Sequence, residues 1–251
     1  MKTLYLECNM GAAGDMLTAA LLDLLPEERR QEFLKVMNAI PGVQVSVEPA
    51  EKCGVRGLHV TVLAHGVEEH SHDVPCGGAG HAHVHEHEHP HDHEHDHEHA
   101  HEHAHDHEHD HHHGHHHASL ADVRAIVEGL PVPETVKAKA MEVYGLIARA
   151  EAHAHGQPVE LVHFHEVGAL DAVADVTAVC LLMEWLGADR VAASPVNLGG
   201  GQVKCAHGVL PVPAPATAWL VQGIPCYGGD VKAELCTPTG AALLRTFASS
   251  F

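Results

Sequence analysis

One stretch decides the fold, and it reads His163-Phe164-His165-Glu166-Val167-Gly168-Ala169-Leu170-Asp171-Ala172-Val173-Ala174-Asp175. From Gly168 to Leu186 the residues predict a helix that is apolar nearly all round, which places it at the centre of the fold. Asp171 and Asp175 are four residues apart in this helix, so their carboxylates project from one face. Side by side they repel each other unless a cation, a basic partner or water surrounds them.

The segment before this helix concentrates further polar groups. His163 and His165 alternate around Phe164, which in an extended segment sends both imidazoles to the same side. Glu166 follows at the helix entrance, where the helix dipole favours a negative charge. A solvated helix face would explain each acid alone, but acids on a mostly buried helix usually need a partner. The stretch therefore predicts a site for a divalent metal or a cationic substrate.

The charge of the chain excludes one class of partner. The formal net charge of the 251 residues is −20, and residues 81–117 carry ten acids and no Lys or Arg, so the rest of the chain carries −10. A chain this acidic is not expected to bind a nucleic-acid backbone. Without residues 81–117, 214 residues remain, which is enough for one large domain or two small ones.

Cysteine usage and hydropathy indicate the compartment. The seven cysteines are odd in number, widely scattered and never in a C-x-x-C pair, which is typical of reduced thiols in the cytosol. Glu7 and Asp15 interrupt any signal-peptide core, and no run reaches the roughly 18 apolar residues of a membrane span. We expect a cytoplasmic protein without a membrane partner.

Strand and helix patterns occur on both sides of a long polar insert. They predict an α/β fold, with a mixed sheet and packed helices interrupted by a disordered His-rich insert. We expect residues 1–63 and 119–251 to form one α/β domain and residues 64–118 to form a low-complexity linker. Predicted strands cover residues 3–8, 43–47, 58–62 and 190–195, with a hairpin through 203–208. Predicted helices cover residues 26–38, 119–129, 134–152 and 168–186, with others after residue 15, ending near 223 and starting at 241.

A glycine loop joins the first predicted strand to the first predicted helix. Gly11, Gly14 and Asp15 lie in it, and such a loop exposes backbone N–H groups that bind phosphate or carboxylate readily. The loop matches neither G-x-G-x-x-G nor a P-loop, so a tight turn with Asp15 favourable in the first helical turn remains an alternative. The helix is expected to carry one apolar face, formed by Met16, Leu17, Ala20, Leu21 and Leu24.

Thr237-Pro238-Thr239-Gly240 marks the start of the last predicted helix. A threonine hydroxyl cap followed by free N–H groups is a second candidate anion cradle, and a cap without a ligand is the alternative. His153 and His155 lie at the end of the helix that covers residues 134–152, where we expect exposed, frayed histidines.

The tract from residue 81 to residue 117 has histidine at nearly every second position, with Glu, Asp or Ala between. No hydrophobic core can be built from it. An extended chain of this kind offers imidazole on one side and carboxylate on the other, so it is a labile ligand for Ni, Zn, Cu or Co. We predict metal capture or storage, and the alternative is a solvated spacer.

Several motifs outside this tract are long and specific. They are Gly11-Ala12-Ala13-Gly14-Asp15-Met16, His155-Gly156, the run from Val162 to Ala169 with Asp171 and Asp175, the run from His207 to Thr217, and the run from Glu234 to Ala241. Together they resemble the LarC family, the nickel insertion proteins of nickel-pincer nucleotide cofactor synthesis. The resemblance implies a CTP-dependent nickel chelatase, a metal-inserting lyase. Its substrate would be a pyridinium mononucleotide that carries two thiocarboxylates, and its product would serve lactate racemase.

The chemistry that the resemblance implies agrees with the residues. A nickel–carbon bond on a pyridinium ring requires loss of a ring proton and a nickel ion with open positions, and His and carboxylate ligands beside a base can supply both. The expected metal ligands are His163, His165, Glu166, Asp171 and Asp175, with Glu166 and His165 also as catalytic groups. Gly11, Gly14, Thr237 and Thr239 are expected to hold phosphate or carboxylate groups of the substrate. Asp15 is expected to belong to the same cofactor-binding set.

The chain departs from the family pattern at its end. Family members carry a further C-terminal domain to which CTP binding, with Mg²⁺ or Mn²⁺, is attributed, and this chain stops at Phe251. We therefore expect an N-terminal portion whose partner is a separately encoded or deleted C-terminal half. Lactate racemase is the expected recipient of the cofactor, and we expect a homo-oligomer.

Two other classes of protein compete with this interpretation. A nickel storage protein or metallochaperone without catalysis would explain the histidine tract, and a metal-dependent hydrolase would explain the acids and histidines near residue 166. A storage protein has no need of a glycine loop and a Thr-Pro-Thr-Gly helix start, while a hydrolase would leave the tract unexplained.

Overall fold

The computed structural model describes residues 1–67, 72–74, 118–164, 167–205 and 207–251. Within them, helices and strands pack around one hydrophobic core, which confirms the predicted α/β class. The His-rich tract of residues 81–117 lies outside the described residues, and so do His165 and Glu166.

Seven α-helices occur in the described residues: α1 Gly14–Asp23, α2 Glu27–Met37, α3 Leu120–Glu128, α4 Glu134–His155, α5 Leu170–Leu186, α6 Pro215–Leu220 and α7 Pro238–Phe247. A 3-10 turn, Val159–Leu161, follows α4. The bounds of α2, α3 and α5 agree with the prediction within two residues. Helices α6 and α7 begin earlier than predicted, each at a proline, because the missing N–H of proline is not needed in a first helical turn.

The strands of the described residues are β1 Thr3–Leu6, β2 Val43–Lys52, β3 Val55–Ala64, β4 His72–Val74, β5 Ala118–Ser119, β6 His163–Phe164, β7 Arg190–Ala193, β8 Val196–Asn197, β9 Gln202–Cys205, β10 Gly208–Pro211 and β11 Cys226–Tyr227. They form several small sheets with both kinds of pairing. Strand β1 pairs with β7, and β8 with β11, in parallel. The antiparallel pairs are β2 with β3, β5 with β6, and β9 with both β4 and β10.

Helix α5 lies at the centre of the core, as its apolar sequence predicted. From Val173 to Met183 every side chain except that of Asp175 is buried. Helices α1, α3, α4 and α7 all contact it. It ends at Gly187, which has the left-handed φ of 54° that favours glycine. Asp175 therefore places a carboxylate within the buried stretch of this helix.

The buried face of α1 differs from the predicted one. Leu17 and Leu21 are buried, but Met16, Ala20 and Leu24 are exposed, so the prediction was wrong for these three. The buried stripe consists of Gly14, Leu17, Thr18, Leu21 and Leu22. Because Gly14 has no side chain, the start of α1 packs closely against α5. The buried face of α1 is therefore rotated by about one residue position from the face that the hydrophobic pattern predicts.

Strand β4 was not predicted, since it lies in the segment that we expected to be a linker. It pairs with β9, with His72 opposite Lys204. Strand pairing uses backbone N–H and C=O groups that every residue carries, so it can occur without alternating hydropathy. Gly57, which was expected in a loop, lies in β3, and the turn before it is formed by Cys53 and Gly54, both with positive φ.

The predicted start of α3 is confirmed. Ser119 accepts a hydrogen bond from the backbone N–H of Asp122 at 3.2 Å, and the Asp122 carboxylate accepts one from the backbone N–H of Ser119 at 2.8 Å. This is a reciprocal capping box. In the part of the chain that the structure describes, no helix is both long and apolar enough to cross a membrane.

Candidate functional site

Two loops that are far apart in the sequence meet beyond the carboxyl end of β1. The backbone N–H of Ala12 donates to the carbonyl of Leu235 at 2.9 Å, and the N–H of Thr237 donates to the carbonyl of Ala12 at 3.0 Å. Gly11 has a φ of 87°, and a Cβ there would lie 1.8 Å from the Leu235 oxygen. A Cβ at Gly240 would lie 1.9 Å from the Ala12 oxygen. These glycines allow the starts of α1 and α7 to lie side by side.

The start of α7 uses its threonines as predicted for a cap. The Thr237 hydroxyl accepts a hydrogen bond from the backbone N–H of Gly240 at 3.1 Å and lies 2.9 Å from the Thr239 hydroxyl. Anion binding by these groups, and by the loop of Gly11 and Gly14, stays a prediction.

The start of α1 lies directly against one of the two acids of α5. A Cβ at Gly14 would lie 2.7 Å from the Asp175 Cβ and 2.8 Å from its Oδ2. Asp171 and Asp175 lie one turn apart on α5, as their spacing predicted. The Oδ1 atom of each is buried, and within the described residues neither has a hydrogen-bond partner. The same is true of the Tyr144 hydroxyl of α4.

Burial and mutual repulsion make these groups hard to ionise. Burial raises the pKa of Asp175 well above its usual value, and the nearby charges of Asp15 and Asp171 raise it further. Burial also raises the pKa of Asp171, although hydrogen bonds from the first backbone N–H groups of α5 lower it in part. The pKa of Tyr144 is raised well above its usual value by burial and then by the charges of Asp171 and Asp175. We call Asp15, Asp171 and Asp175 the acidic cluster.

The acidic cluster can bind a cation. A buried carboxylate oxygen without a donor is costly, and native proteins usually satisfy such atoms. A divalent cation beside Asp171 and Asp175 would contact the orphaned oxygens and remove the repulsion between the carboxylates. A carboxyl group with a raised pKa is also a stronger base than an ordinary carboxylate, and so it is better suited to accept a proton.

The histidine that was predicted as a metal ligand and is described lies at the surface. His163 is exposed in β6, opposite Ser119 of β5. Hydrogen bonds from Ser119 hold the pKa of Asp122 below its usual value, and the charge of His163 lowers it further. Phe164 points the other way, into the core, with its ring 6.1 Å from the ring of Tyr144. His163 therefore lies beside Asp122, while Phe164 packs against Tyr144, whose pKa is raised in part by the charges of Asp171 and Asp175.

An open cavity of about 200 Å³ was not predicted. It is bordered by the end of α4, the β9–β10 hairpin, the start of α6, Val167 before α5 and Pro238 at the start of α7. Most of its wall is apolar. Its chemically active side chains are Glu151, His155, Cys205, His207 and Glu234.

Two imidazoles lie together in this cavity. The ring centres of His155 and His207 are 4.8 Å apart, with 40° between the ring planes. The Nε2 atom of His155 lies 3.5 Å from the Oε2 atom of Glu151, one helical turn earlier in α4. His155 is the last residue of α4 and is exposed, as expected for a histidine at a helix end, with 35% of its side chain accessible to solvent. The available signal was the presence of His155-Gly156 and His207-Gly208 among the motifs.

The protonation of one thiol and the arrangement of the ligand-type side chains limit metal binding by the described residues alone. Burial, together with the charge of Glu234, raises the pKa of Cys236 to about 12, so this thiol stays protonated and is a poor metal ligand. No three His, Cys, Asp or Glu side chains within the described ranges are arranged to hold a metal ion. The predicted metal set also needs His165 and Glu166, which lie outside those ranges.

Comparison with known proteins gives a consistent result. The family described as "Nickel insertion protein" matches residues 4–251. Several relatives carry the name pyridinium-3,5-bisthiocarboxylic acid mononucleotide nickel insertion protein. The one from Clostridium acetobutylicum is 40% identical over 252 residues, which is 100% of this chain and 57% of the relative. The one from Clostridium kluyveri is 36% identical over 256 residues, with 100% and 54% covered. The one from Desulfitobacterium hafniense is 35% identical over 252 residues, with 100% and 51% covered.

The chain thus spans about half the length of the curated relatives that it matches. No solved structure matches it.

Proposed function

Because the chain belongs to the family of nickel insertion proteins, we propose that it takes part in inserting nickel into pyridinium-3,5-bisthiocarboxylic acid mononucleotide, the molecule named in its relatives. Nickel is here a substrate that must be bound and then released into the product.

The observation that carries this proposal is the pair of buried carboxylate oxygens on α5. The Oδ1 atoms of Asp171 and Asp175 are buried and have no donor among the described residues, and the charge of Asp15 raises the pKa of Asp175 further. Burial of like charges is unfavourable in the absence of a cation, and it makes binding of a divalent cation favourable. We propose Asp171 as a nickel ligand and Asp175 as its support.

The insertion step needs a base as well as ligands. A ring C–H bond breaks, a carbon–nickel bond forms, and the proton leaves to a base, while the two thiocarboxylate sulfurs also bind the nickel. We propose that Glu166 and His165 provide this base and further ligands, and that His163 is a ligand at the entrance. The support is their place in the sequence directly before α5.

The loops at the starts of α1 and α7 are proposed to hold the anionic groups of the mononucleotide. Two helix N-termini lie side by side there, and each presents backbone N–H groups and a positive dipole end. The residues concerned are Gly11, Gly14, Thr237 and Thr239. For Asp15 we propose a contact with the cationic ring or the metal, because its charge acts on Asp175 and would repel a phosphate.

CTP dependence, the class of metal-inserting lyase and delivery of the product to lactate racemase are finer parts of the proposal, and they rest on the resemblance to the LarC family. We place the CTP step, with Mg²⁺ or Mn²⁺, in the half of the relatives that this chain does not span. That half would be the partner of this chain.

A complete assay tests this proposal. The assay mixes this chain with the remaining half of a relative, nickel, CTP with Mg²⁺ and the mononucleotide. The small-molecule fraction is then added to apo-lactate racemase. We expect racemase activity only when every component is present. Activation without this chain, or none with all components, contradicts the proposed function, and CTP turnover by this chain alone contradicts the placement of the CTP step.

The histidine tract favours a second candidate, a nickel storage protein or metallochaperone. Deletion of residues 81–117 should lower the number of nickel ions bound per chain sharply, because most of the imidazoles are lost. Under the insertion proposal, activity of the deleted chain at saturating nickel survives. If insertion stops even in excess nickel while circular dichroism is unchanged, the tract is essential rather than auxiliary.

A further inference from the structure

We infer that His155 and His207 together bind a nickel ion in the cavity, as a two-imidazole position from which the metal passes to the substrate. The choice of nickel and the transfer role rest on the proposed function, whereas the metal position itself rests on the geometry of the cavity. It is separate from the acidic cluster, which is built from α1 and α5.

The distance between the two rings fits one shared ion. A metal about 2.0–2.1 Å from an imidazole nitrogen lies about 3.2 Å from the centre of that ring, so two imidazoles at about 90–100° around one ion have ring centres about 4.5–4.9 Å apart. The observed separation is 4.8 Å. The ring planes are tilted by 40° rather than parallel.

The surroundings of His155 orient it for a ligand. Glu151 lies one turn earlier on α4, and its Oε2 atom is 3.5 Å from the His155 Nε2. A carboxylate that holds one imidazole nitrogen fixes the ring and leaves the other nitrogen, here Nδ1, for a metal. The remaining reactive groups of the cavity, Cys205 and Glu234, are a thiol and a carboxylate. They border the same cavity, but within the described residues they are not arranged with the imidazoles around one ion, so the two imidazoles, which borderline ions such as nickel accept, are the ligands.

A position with two protein ligands suits a metal that must leave. Within the described residues no three ligand-type side chains are arranged around one ion, so the pair leaves coordination positions open. The mononucleotide brings two sulfur donors and a ring carbon, and the cavity of about 200 Å³ leaves room beside the histidines for part of it. A complete protein ligand set would compete with the product for the metal, and two imidazoles compete less.

Cys205 provides a reporter for this position in the intact chain, since it lines the same cavity as the two histidines. The chain is alkylated with iodoacetamide in the presence and absence of nickel in excess over the histidine tract, and each cysteine is followed by mass spectrometry. Nickel should slow alkylation of Cys205 by about tenfold or more, a change of the size that ligand-shell losses typically produce. Cys53, exposed in the turn between β2 and β3, is the internal control and should not be protected.

Variants then assign the protection to the pair. His155→Ala and His207→Ala should each abolish it, whereas His153→Ala should retain it, because the His153 ring lies 6.2 Å from the Trp219 ring and is not among the cavity-lining residues. Mg²⁺, which prefers oxygen ligands, should not protect Cys205 in the parent chain, and this comparison needs no variant. The inference is overturned if nickel leaves Cys205 as reactive as before, or protects it equally in both histidine variants.

This readout separates the inference from the proposed function. Protection of Cys205 needs neither CTP nor the mononucleotide. Protection in a chain whose complete system inserts no nickel would overturn the proposed function and leave the metal position standing. Insertion by a chain that shows no protection would overturn the metal position alone.

Discussion

The acidic cluster and the histidine pair are both candidate metal positions, but they are built in opposite ways. The acids Asp171 and Asp175 come from one helix, one turn apart, with buried oxygens held in the rigid centre of the core. The rings of His155 and His207 come from α4 and from the β9–β10 hairpin, and they face an open cavity. The first region offers buried carboxylates that ionise more readily when a cation binds, and the second offers imidazole nitrogen donors with access.

Because of this difference, the acidic cluster is suited to attract a metal ion and the histidine pair is suited to exchange it. Buried carboxylates are costly to ionise, so they gain most from a cation and bind it where they stand. Imidazoles at an open cavity bind a borderline ion and leave positions for other ligands. A protein that captures a metal and then gives it up needs both properties, and perturbing one region should leave the other intact.

The largest effect is expected on the free energy of unfolding, at the contact between the loop after β1 and the start of α7. Both regions depend on this contact. Gly240→Ala would place a Cβ 1.9 Å from the Ala12 oxygen. We expect a loss of about 3 kcal/mol or more in the free energy of unfolding, because backbone must move. Helix propensity alone would predict a gain of about 1 kcal/mol.

Chemical denaturation measures this change, and Gly57→Ala is the matched control. Gly57 has open space where a Cβ would lie, so its substitution should change stability by about 0.5 kcal/mol or less. Equal stabilities of the two variants would mean that the two loops are not held in close contact.

The next effect concerns the acidic cluster alone. In a chain without residues 81–117, Asp171→Ala should weaken the tightest nickel-binding step by about 10- to 100-fold, because a ligand or its orienting partner is lost. Asp175→Ala should do less. Isothermal titration calorimetry measures the affinities, with Glu128→Ala, an exposed acid of α3, as the control. If neither acid matters, Asp171 and Asp175 are a solvated helix face.

A smaller effect should appear in the pH dependence of folding stability. Burial raises the pKa of Asp175 well above 3.8, so above pH 3.8 the folded chain keeps a proton that the unfolded chain releases. Stability contributed by this group therefore falls as pH rises from 3.8 through the raised pKa. Asp175→Asn removes that fall, so the variant should gain stability relative to the parent across this window and not below it.

Denaturation at a series of pH values, with a chelator present to remove metal, checks this expectation. If the difference in the free energy of unfolding between variant and parent stays constant with pH, burial does not raise the pKa of Asp175 in the folded chain. Nickel added to the parent should reduce the fall in stability with rising pH, because the cation favours the ionised carboxylate.

The smallest effect lies outside both regions. Ser119→Ala removes the hydroxyl that caps α3 and should cost about 1 kcal/mol of stability. It should leave nickel affinity unchanged, since it touches neither metal position. Ser46→Ala, at an exposed position of β2, is the control with no capping role. A change in nickel affinity on losing the cap would instead mean that the cap also positions His163, the proposed entrance ligand, which lies opposite Ser119.

Local spacing predicted one of the two regions and could not predict the other. Asp171 and Asp175 are four residues apart, and helical periodicity alone places them on one face. His155 and His207 are 52 residues apart in the sequence, and their meeting depends on how α4 packs beside the β9–β10 hairpin.

The same limit applies to the fold. The caps at Ser119 and Thr237 are local, and the sequence correctly predicted the threonine cap and a helix that starts at residue 119. The pairing of β4 with β9 joins backbone groups that no side-chain pattern marks. The exposure of Met16 follows from the contact between Gly14 and Asp175, a tertiary contact that rotates α1 away from its apparent apolar face.

The most direct test of the central claim follows the atoms of the insertion step. The mononucleotide is deuterated at the ring carbon between its two thiocarboxylates and incubated with nickel, CTP, this chain and the remaining half of a relative. Mass spectrometry then measures nickel gained and deuterium lost. We predict that both change together with the parent chain, and that both fall by about 10- to 100-fold with Asp171→Ala. Nickel gain and deuterium loss that are unchanged in the Asp171→Ala chain would contradict the account, because the acidic cluster would then have no part in the insertion.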